Sequence, residues 1–324
     1  MDLLPITWQS QLGVLGTVGT SRVSQSAVDL RTSFAYKRMY AEARSYKNYE
    51  RLTAEVAALK SESVRGHPNI VQLEGICWEV QPANNRVLPV LVFEKADYGN
   101  LREYMAAEGM SADFNTKVQW CADLAGALHS LHISGKTCHE LVCQSRVSAT
   151  ESSIGIVHGD LRPANVLVFK SRSGNPTVKI TDFGYAKYSG NKIELPHTWP
   201  WYAPEWHPRT FTLTQAKKAD IYTFGMLCLW TLFANLSTET GATMTAATEV
   251  LTPPDGSSDR QIVDGLKQRD ELPTFVDKLL AQRPPLQEAE QTGLKAFFRC
   301  TTTYDPQARQ LDLIQLSQLL VPER

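Results

Sequence analysis

Hydrophobic periodicity changes once along this chain, near residues 96–100, and that change constrains the fold more than any other feature. Before it, apolar residues fall mostly in strand-length runs. Residues 12–37 read as β-rich: Gly13, Gly16 and Gly19 interrupt apolar residues, and Phe34-Ala35-Tyr36-Lys37 forms a strand. Ile70 to Trp78 and Val87 to Phe93 read as two more strands. Ahead of these two, residues 41–60 carry Leu52, Val56 and Leu59 at helical spacing, and His-Pro-Asn at 67–69 punctuates the chain. After Gly99 the spacing turns helical, over 101–107, 117–132, 216–236, 259–269, 273–282, 289–300 and 311–320. This pattern predicts an α+β chain: a small β-rich lobe with one main helix, joined at a hinge to a larger, mainly helical lobe. We place an N-terminal extension at 1–11, the first lobe at 12–95 and the second at 96–324. Residues 136–155, KTCHELVCQSRVSATESSIG, lack periodicity and end rich in Ser and Thr, so they are expected to be a surface insertion.

Composition narrows the function classes. A chain of 324 residues, 43% apolar and 21% charged, suits a soluble globular protein. A net charge of −1 and a pI of about 6.7 leave no basic excess for a nucleic-acid or membrane-surface partner. The start, MDLLPITWQSQL, has no basic segment followed by an apolar core, so no secretory signal is expected. The longest apolar run, Ile221 to Leu236, is too short for a membrane span and predicts a buried helix. Cys77, Cys121, Cys138, Cys143, Cys228 and Cys300 sit mostly in apolar segments, as free thiols do in a reducing cytosol. Cys138 and Cys143 flank His139, but no second pair follows at zinc-site spacing, and no metal is assigned there.

The stretch IVHGDLRPANVLVF, residues 156–169, carries the chemistry. It sets Asp160 and Asn165 on a loop between two apolar runs. Further on, KITDFG ends a second apolar strand with Asp182-Phe183-Gly184. If 166–169 and 177–181 pair as a hairpin, Asp160, Asn165 and Asp182 meet at one end of it. Asn165 and Asp182 can then hold a hard divalent cation, while Asp160 accepts a proton from a hydroxyl. Such a set suits phosphoryl transfer from a magnesium–nucleotide, where positioning and charge neutralisation dominate.

At this point the chain resembles the protein-kinase family, from about residue 12 to 320. HGDLRPAN at 158–165 matches the catalytic loop H-x-D-x-x-x-x-N, Asp182-Phe183-Gly184 the DFG motif and Ala203-Pro204-Glu205 the APE motif. Lys37 in FAYK matches the strand lysine, and Glu55 the helix glutamate that pairs with it. HPNIVQLEGIC at 67–77 and LVFEKADYGNL at 91–101 resemble the segment after that helix and the hinge. Asp220 resembles the aspartate that starts the long central helix, and Arg309 in DPQAR the arginine that pairs with Glu205. The resemblance implies that Lys37, held by Glu55, binds the α- and β-phosphates of ATP. It implies that Asp182 and Asn165 hold Mg2+, that Asp160 accepts the substrate proton, and that Arg162 neutralises the γ-phosphate. Gly16 and Gly19 would belong to the phosphate loop. Val23, Ala35 and Leu167 would sandwich adenine, with Phe93 as gatekeeper and Glu94 to Ala96 facing the ring. Leu59, Leu73, His158 and Phe183 match the family's stacked apolar spine. The implied partner is a protein substrate, and the implied state a cytoplasmic monomer.

Three departures stand out. Val18 and Ser21 replace two glycines of the phosphate loop, which predicts weaker ATP binding. Gly159 stands where the family carries an arginine that grips a phosphate on the activation loop, so activity independent of phosphorylation at Tyr185, Tyr188 or Ser189 is expected. Trp201 replaces a tyrosine, whereas Thr198 keeps the threonine of serine/threonine kinases. DLRPAN lies between the serine/threonine and tyrosine forms of the loop; we take serine/threonine specificity, with tyrosine or dual specificity as alternatives. Two other readings stay open here. One is a pseudokinase scaffold that binds ATP without transferring it. The other is a small-molecule phosphotransferase, a class that shares the HGD loop.

Overall fold

Alternating burial builds the first lobe. We describe a computed structural model covering residues 13–18, 21–27, 33–39, 46–81, 86–107, 112–134, 155–171, 174–187, 192–206, 210–233, 257–281 and 286–321. Strands β1 (Gly13–Val18), β2 (Ser21–Ala27), β3 (Ser33–Met39), β4 (Leu73–Gln81) and β5 (Arg86–Glu94) form an antiparallel sheet in the order β1-β2-β3-β5-β4. Along β5, Leu91 and Phe93 join the main core, while Val90 and Val92 join Tyr36 and Cys77 in a smaller cluster. The two-residue repeat thus gives the sheet two buried faces. Helix α1 (Tyr46–Lys60) buries Ala54, Glu55, Ala58 and Leu59, one stripe at three- and four-residue spacing.

The strand expected over Ile70 to Trp78 begins instead at Leu73. Ile70 pairs with Ile180 of the second lobe, the Val71 N–H donating to Ile180 O at 3.0 Å and Ile180 N–H to Asn69 O at 2.8 Å. Ile70 and Val71, which read as strand, therefore tie the lobes together rather than extend the sheet.

After β5 the chain turns helical at α2 (Leu101–Ala106), which Asn100 and Glu103 start with a reciprocal capping box. Helix α3 (Phe114–Ile133) is capped by Asp113. Strands β6 (Val166–Phe169) and β7 (Thr177–Ile180) form the expected hairpin, with Val166 opposite Ile180 and Phe169 opposite Thr177. Two short strands, β8 (Ile193–Glu194) and β9 (Thr210–Phe211), pair ahead of α4 (Leu213–Phe233). Helix α4 is buried on nearly every side from Ala219 onward, as a helix apolar all round must be. It begins at Leu213, so Asp220 lies within it rather than at its start; Leu213 and Ala216 already bury a face before Asp220 is reached. Helices α5 (Ser257–Gln268), α6 (Leu272–Ala281), α7 (Glu288–Thr302) and α8 (Leu313–Leu320) complete the lobe.

No helix among the described residues is long and apolar enough to cross a membrane. The N-terminal extension, Gly19, Tyr188 and Ser189, and residues 136–154 with Cys138, His139 and Cys143 lie outside the described residues.

Candidate active site

The hairpin register builds the site. Because Val166 faces Ile180, the loop before β6 and the turn after β7 emerge side by side. The Thr181 N–H donates to Asn165 O at 3.0 Å and closes that end. His158 Nδ1 accepts from the Asp160 N–H at 3.2 Å, which puts its ring proton on Nε2, 3.0 Å from Thr181 O. Its ring meets Phe183 edge-on at 5.2 Å, and Phe183, Leu59 and Leu73 pack in the same core, as the spine resemblance implied. From below, Asp220 of α4 accepts the His158 N–H at 2.7 Å on Oδ2 and the Gly159 N–H at 2.9 Å on Oδ1. His132 Nε2 sits 3.1 Å from the same Oδ2. This buried carboxylate fixes the backbone of the catalytic loop from α4.

Lys37 joins the lobes. Its Nζ donates to both Glu55 oxygens at 2.8 Å and to Asp182 Oδ1 at 2.7 Å. Strand β3, helix α1 and the turn after β7 converge on this one ammonium. Burial alone would lower the Lys37 pKa, but Asp182 and Glu55 outweigh it and hold the group firmly charged. Burial also raises Glu55, against the opposing pull of Lys37, while Asp182 is lowered because Lys37 overcomes its burial. Asp182 adopts a left-handed backbone conformation, φ 64°, that aims its carboxylate at Lys37.

Asp160 is 6% exposed and held on two sides. Thr198 Oγ1 donates to its Oδ1 at 2.9 Å, and Asn165 Nδ2 donates to its Oδ2 at 3.0 Å and to its backbone O at 2.8 Å. Arg162 Nε lies 3.3 Å from Oδ2, an ion-pair contact without hydrogen-bond alignment. Burial raises the Asp160 pKa, and Arg162 and Thr198 partly offset it. With its nitrogen engaged by Asp160, Asn165 keeps its amide oxygen as its remaining polar atom. That oxygen and Asp182 form a hard-oxygen donor pair. Among the described residues no cluster of three His, Cys, Asp or Glu could hold a metal unaided. Two hard-oxygen donors suit an ion that brings phosphate oxygens with it, as Mg2+ does with a nucleotide.

The residues expected around adenine lie on β2, β3, β5 and β6 and just after β5. Ala35 lies opposite Phe93 in the β3–β5 ladder, Val23 opposite Lys37, and Gly16 opposite Val23 beside a bulge in β1. Ala35 and Leu167 are half-buried against the core, and the backbone of Leu167 bridges to Asn100 just past the hinge. The Glu94 side chain is turned elsewhere: it takes Lys179 Nζ at 2.7 Å on both oxygens and the Gln72 N–H at 2.8 Å. Only the backbone of Glu94 is left to face a ligand, with Lys95 and Ala96 after it.

Sequence reading missed two contacts that brace the site. The Arg51 guanidinium stacks 4.4 Å from the Tyr185 ring, joining α1 to the turn that carries Asp182. Lys179 ties the hinge end of β5 to β7. Neither position has a local signal, since both read as solvated charges.

The Protein kinase domain family matches residues 10–309. A mitogen-activated protein kinase kinase kinase of Drosophila melanogaster is 29% identical over 51% of this chain. A PR5-like receptor kinase of Arabidopsis thaliana is 30% identical over 67%, and the serine/threonine-protein kinase kin-29 of Caenorhabditis elegans 28% identical over 65%. The chain spans 12%, 28% and 22% of the lengths of these three relatives.

Proposed function

The chain belongs to the protein kinase family, and on that premise we propose that it transfers the γ-phosphate of ATP to a serine or threonine hydroxyl of a protein substrate. The observation that carries this is the single ammonium of Lys37 bonded to both Glu55 and Asp182, with Asp160 beside Asn165 on the adjoining loop. ATP would be held by Lys37 at its phosphates, by Val23, Ala35 and Leu167 at its base with Phe93 as gatekeeper, and by Gly16 and Gly19 of the phosphate loop. Asn165 and Asp182 would hold the Mg2+ that neutralises charge on the transferring group. Asp160 orients the substrate hydroxyl and takes its proton at a carboxylate oxygen. Its raised pKa makes it a better proton acceptor than an exposed aspartate. Arg162, beside it, adds positive charge where the phosphate arrives.

The Thr198–Asp160 bond favours serine/threonine specificity, in keeping with the name of the C. elegans relative. The intact Lys37–Glu55–Asp182 set speaks against a scaffold that only binds. We place the protein in the cytoplasm, as a monomer acting on protein substrates. Radiolabel from γ-labelled ATP should pass to dephosphorylated casein with the wild type and not with Asp160→Ala. Absence of transfer by the wild type, with the Mg-ATP thermal shift intact, would overturn the reading in favour of the scaffold.

A further inference from the structure

Helix α5 reaches the turn beside Asp160 through a buried charge. Lys267, 3% exposed, donates its Nζ to Tyr202 O at 2.8 Å and also to Pro200 O. The ammonium lies 4.3 Å from the centre of the Tyr202 ring and 5.4 Å from that of Tyr222 in α4. Asp264, three residues earlier and so on the same helix face, accepts from Trp199 Nε1 at 3.3 Å and from Tyr202 Oη at 3.2 Å. The gripped segment is itself a turn: the N–H groups of Trp201 and Tyr202 both donate to Thr198 O, at 2.8 and 3.2 Å. The residue that opens this turn is the one whose hydroxyl holds Asp160. An unbroken chain of contacts therefore runs from α5 through residues 198–202 to the expected proton acceptor.

Two further observations show how much rests on this grip. Burial pushes the Lys267 ammonium down to about 7, against the pull of Asp264 and Glu205 and with Arg309 adding to the lowering, so the group sits where a charge is costly. On the other side, a Cβ at Gly159 would meet Leu195 and Tyr185, both ahead of the turn, so Gly159 adds no side-chain contact to residues 198–202.

We infer that Asp264 and Lys267 are positioning residues that fix the turn 198–202 against α5 and so set the wall at which a protein substrate presents its hydroxyl to Asp160. The consequence for substrate rests on the phosphotransfer reading; the anchoring itself does not. Removing Lys267 takes the ammonium donor from Pro200 O and Tyr202 O, and the turn should then leave α5.

The test uses the full chain with Lys267→Met, Lys267→Arg and Asp264→Asn, read by hydrogen exchange, Mg-ATP thermal shift and steady-state phosphorylation of dephosphorylated casein. Lys267→Met should lose exchange protection over 198–206 and keep it in α4. Its Mg-ATP shift and its KM for ATP should stay at wild-type values, while kcat/KM for casein falls about 100-fold, the scale of a small misplacement at a reacting centre. Asp264→Asn should show the same pattern more mildly, and Lys267→Arg should recover part of it. If Lys267→Met loses protection throughout α4, the half-buried Asp264→Asn decides. Wild-type exchange over 198–206 in Asp264→Asn, or a loss spread equally over α4, overturns the inference. A wild type that transfers no phosphate overturns the phosphotransfer reading, and the exchange measurement still judges the anchor.

Discussion

Thr198 Oγ1 donates to Asp160 Oδ1 at 2.9 Å, a bond that lowers the pKa of a carboxylate which burial raises. Asp160 must be ionised to accept the substrate proton, so activity falls as pH drops through its pKa. Removing the donor raises that pKa further. Thr198→Val should therefore shift the acid limb of the kcat/KM profile to higher pH and lower kcat at neutral pH by about ten-fold. A rate profile across the acid range checks both, and an unmoved limb would detach Thr198 from the proton transfer.

Lys37 lies between two buried carboxylates, and Lys37→Met leaves Glu55 and Asp182 facing each other without a cation. We expect the Mg-ATP thermal shift and phosphotransfer to disappear, and unfolding stability to drop by about 3 kcal/mol at neutral pH. The sign with pH follows from burial. Without Lys37, burial raises Glu55 above its unfolded pKa, so the folded variant binds more protons than the unfolded chain and loses stability as pH rises through the folded value. Denaturant unfolding at about pH 5.5 and about pH 8 should show a larger deficit at the higher pH. An equal deficit would mean that the two carboxylates gain water once the lysine is gone.

Much of this site is legible in the sequence because its parts sit on short, strongly patterned segments. Asp160 and Asn165 precede one apolar strand and Asp182 follows another, so a single hairpin brings them together, and the register of Val166 with Ile180 does so. Lys37 and Glu55 are legible as a pair only through the family resemblance, since periodicity alone cannot bring β3 and α1 onto one ammonium. Ile70 misleads because a β-branched apolar residue suits a sheet and an interlobe bridge equally well, and only the partner Ile180 tells them apart. Glu94 misleads because the pattern does not reveal that Lys179 lies behind the hinge. Lys267 is invisible for a sharper reason: a lysine in the last turn of a helix normally faces water and favours the helix dipole, yet this one is buried against two carbonyls of a distant turn.

Gly159 has φ +83°, and a Cβ placed there would come within 3.3 Å of Leu195 Cδ2 and of Tyr185 O. Restoring the family's arginine is therefore strained: Gly159→Arg should lower stability by about 1–2 kcal/mol and activity with it. The wild type, lacking that side chain, has no guanidinium here to grip a phosphate. The triple variant Tyr185→Phe, Tyr188→Phe, Ser189→Ala should keep wild-type activity, since phenylalanine preserves the ring on Arg51. Phosphatase treatment of the wild type should likewise leave turnover unchanged. A large loss in either experiment would show that this loop is switched by phosphorylation through some other cation.

Glu205 and Arg309 predict a stability effect that reaches the active site only indirectly. The Arg309 guanidinium is completely buried; its Nη2 donates to Glu205 Oε2 at 2.8 Å and to Tyr304 O at 2.9 Å, its Nε to Thr303 O at 3.0 Å, and its plane lies 4.7 Å over the Tyr222 ring. Glu205 follows the turn that α5 grips, so the pair pins the far end of the same segment to the helical lobe. Glu205→Gln keeps the shape but leaves a buried cation without its counter-charge, which costs about 3–5 kcal/mol. Arg309→Met removes the cation as well and takes the side-chain donor from Thr303 O and Tyr304 O. The double variant should then be less unstable than the two single losses added together, because neither charge is left alone. Denaturant unfolding of the four proteins measures that coupling, and strictly additive losses would mean that Glu205 and Arg309 act through separate contacts rather than as a pair.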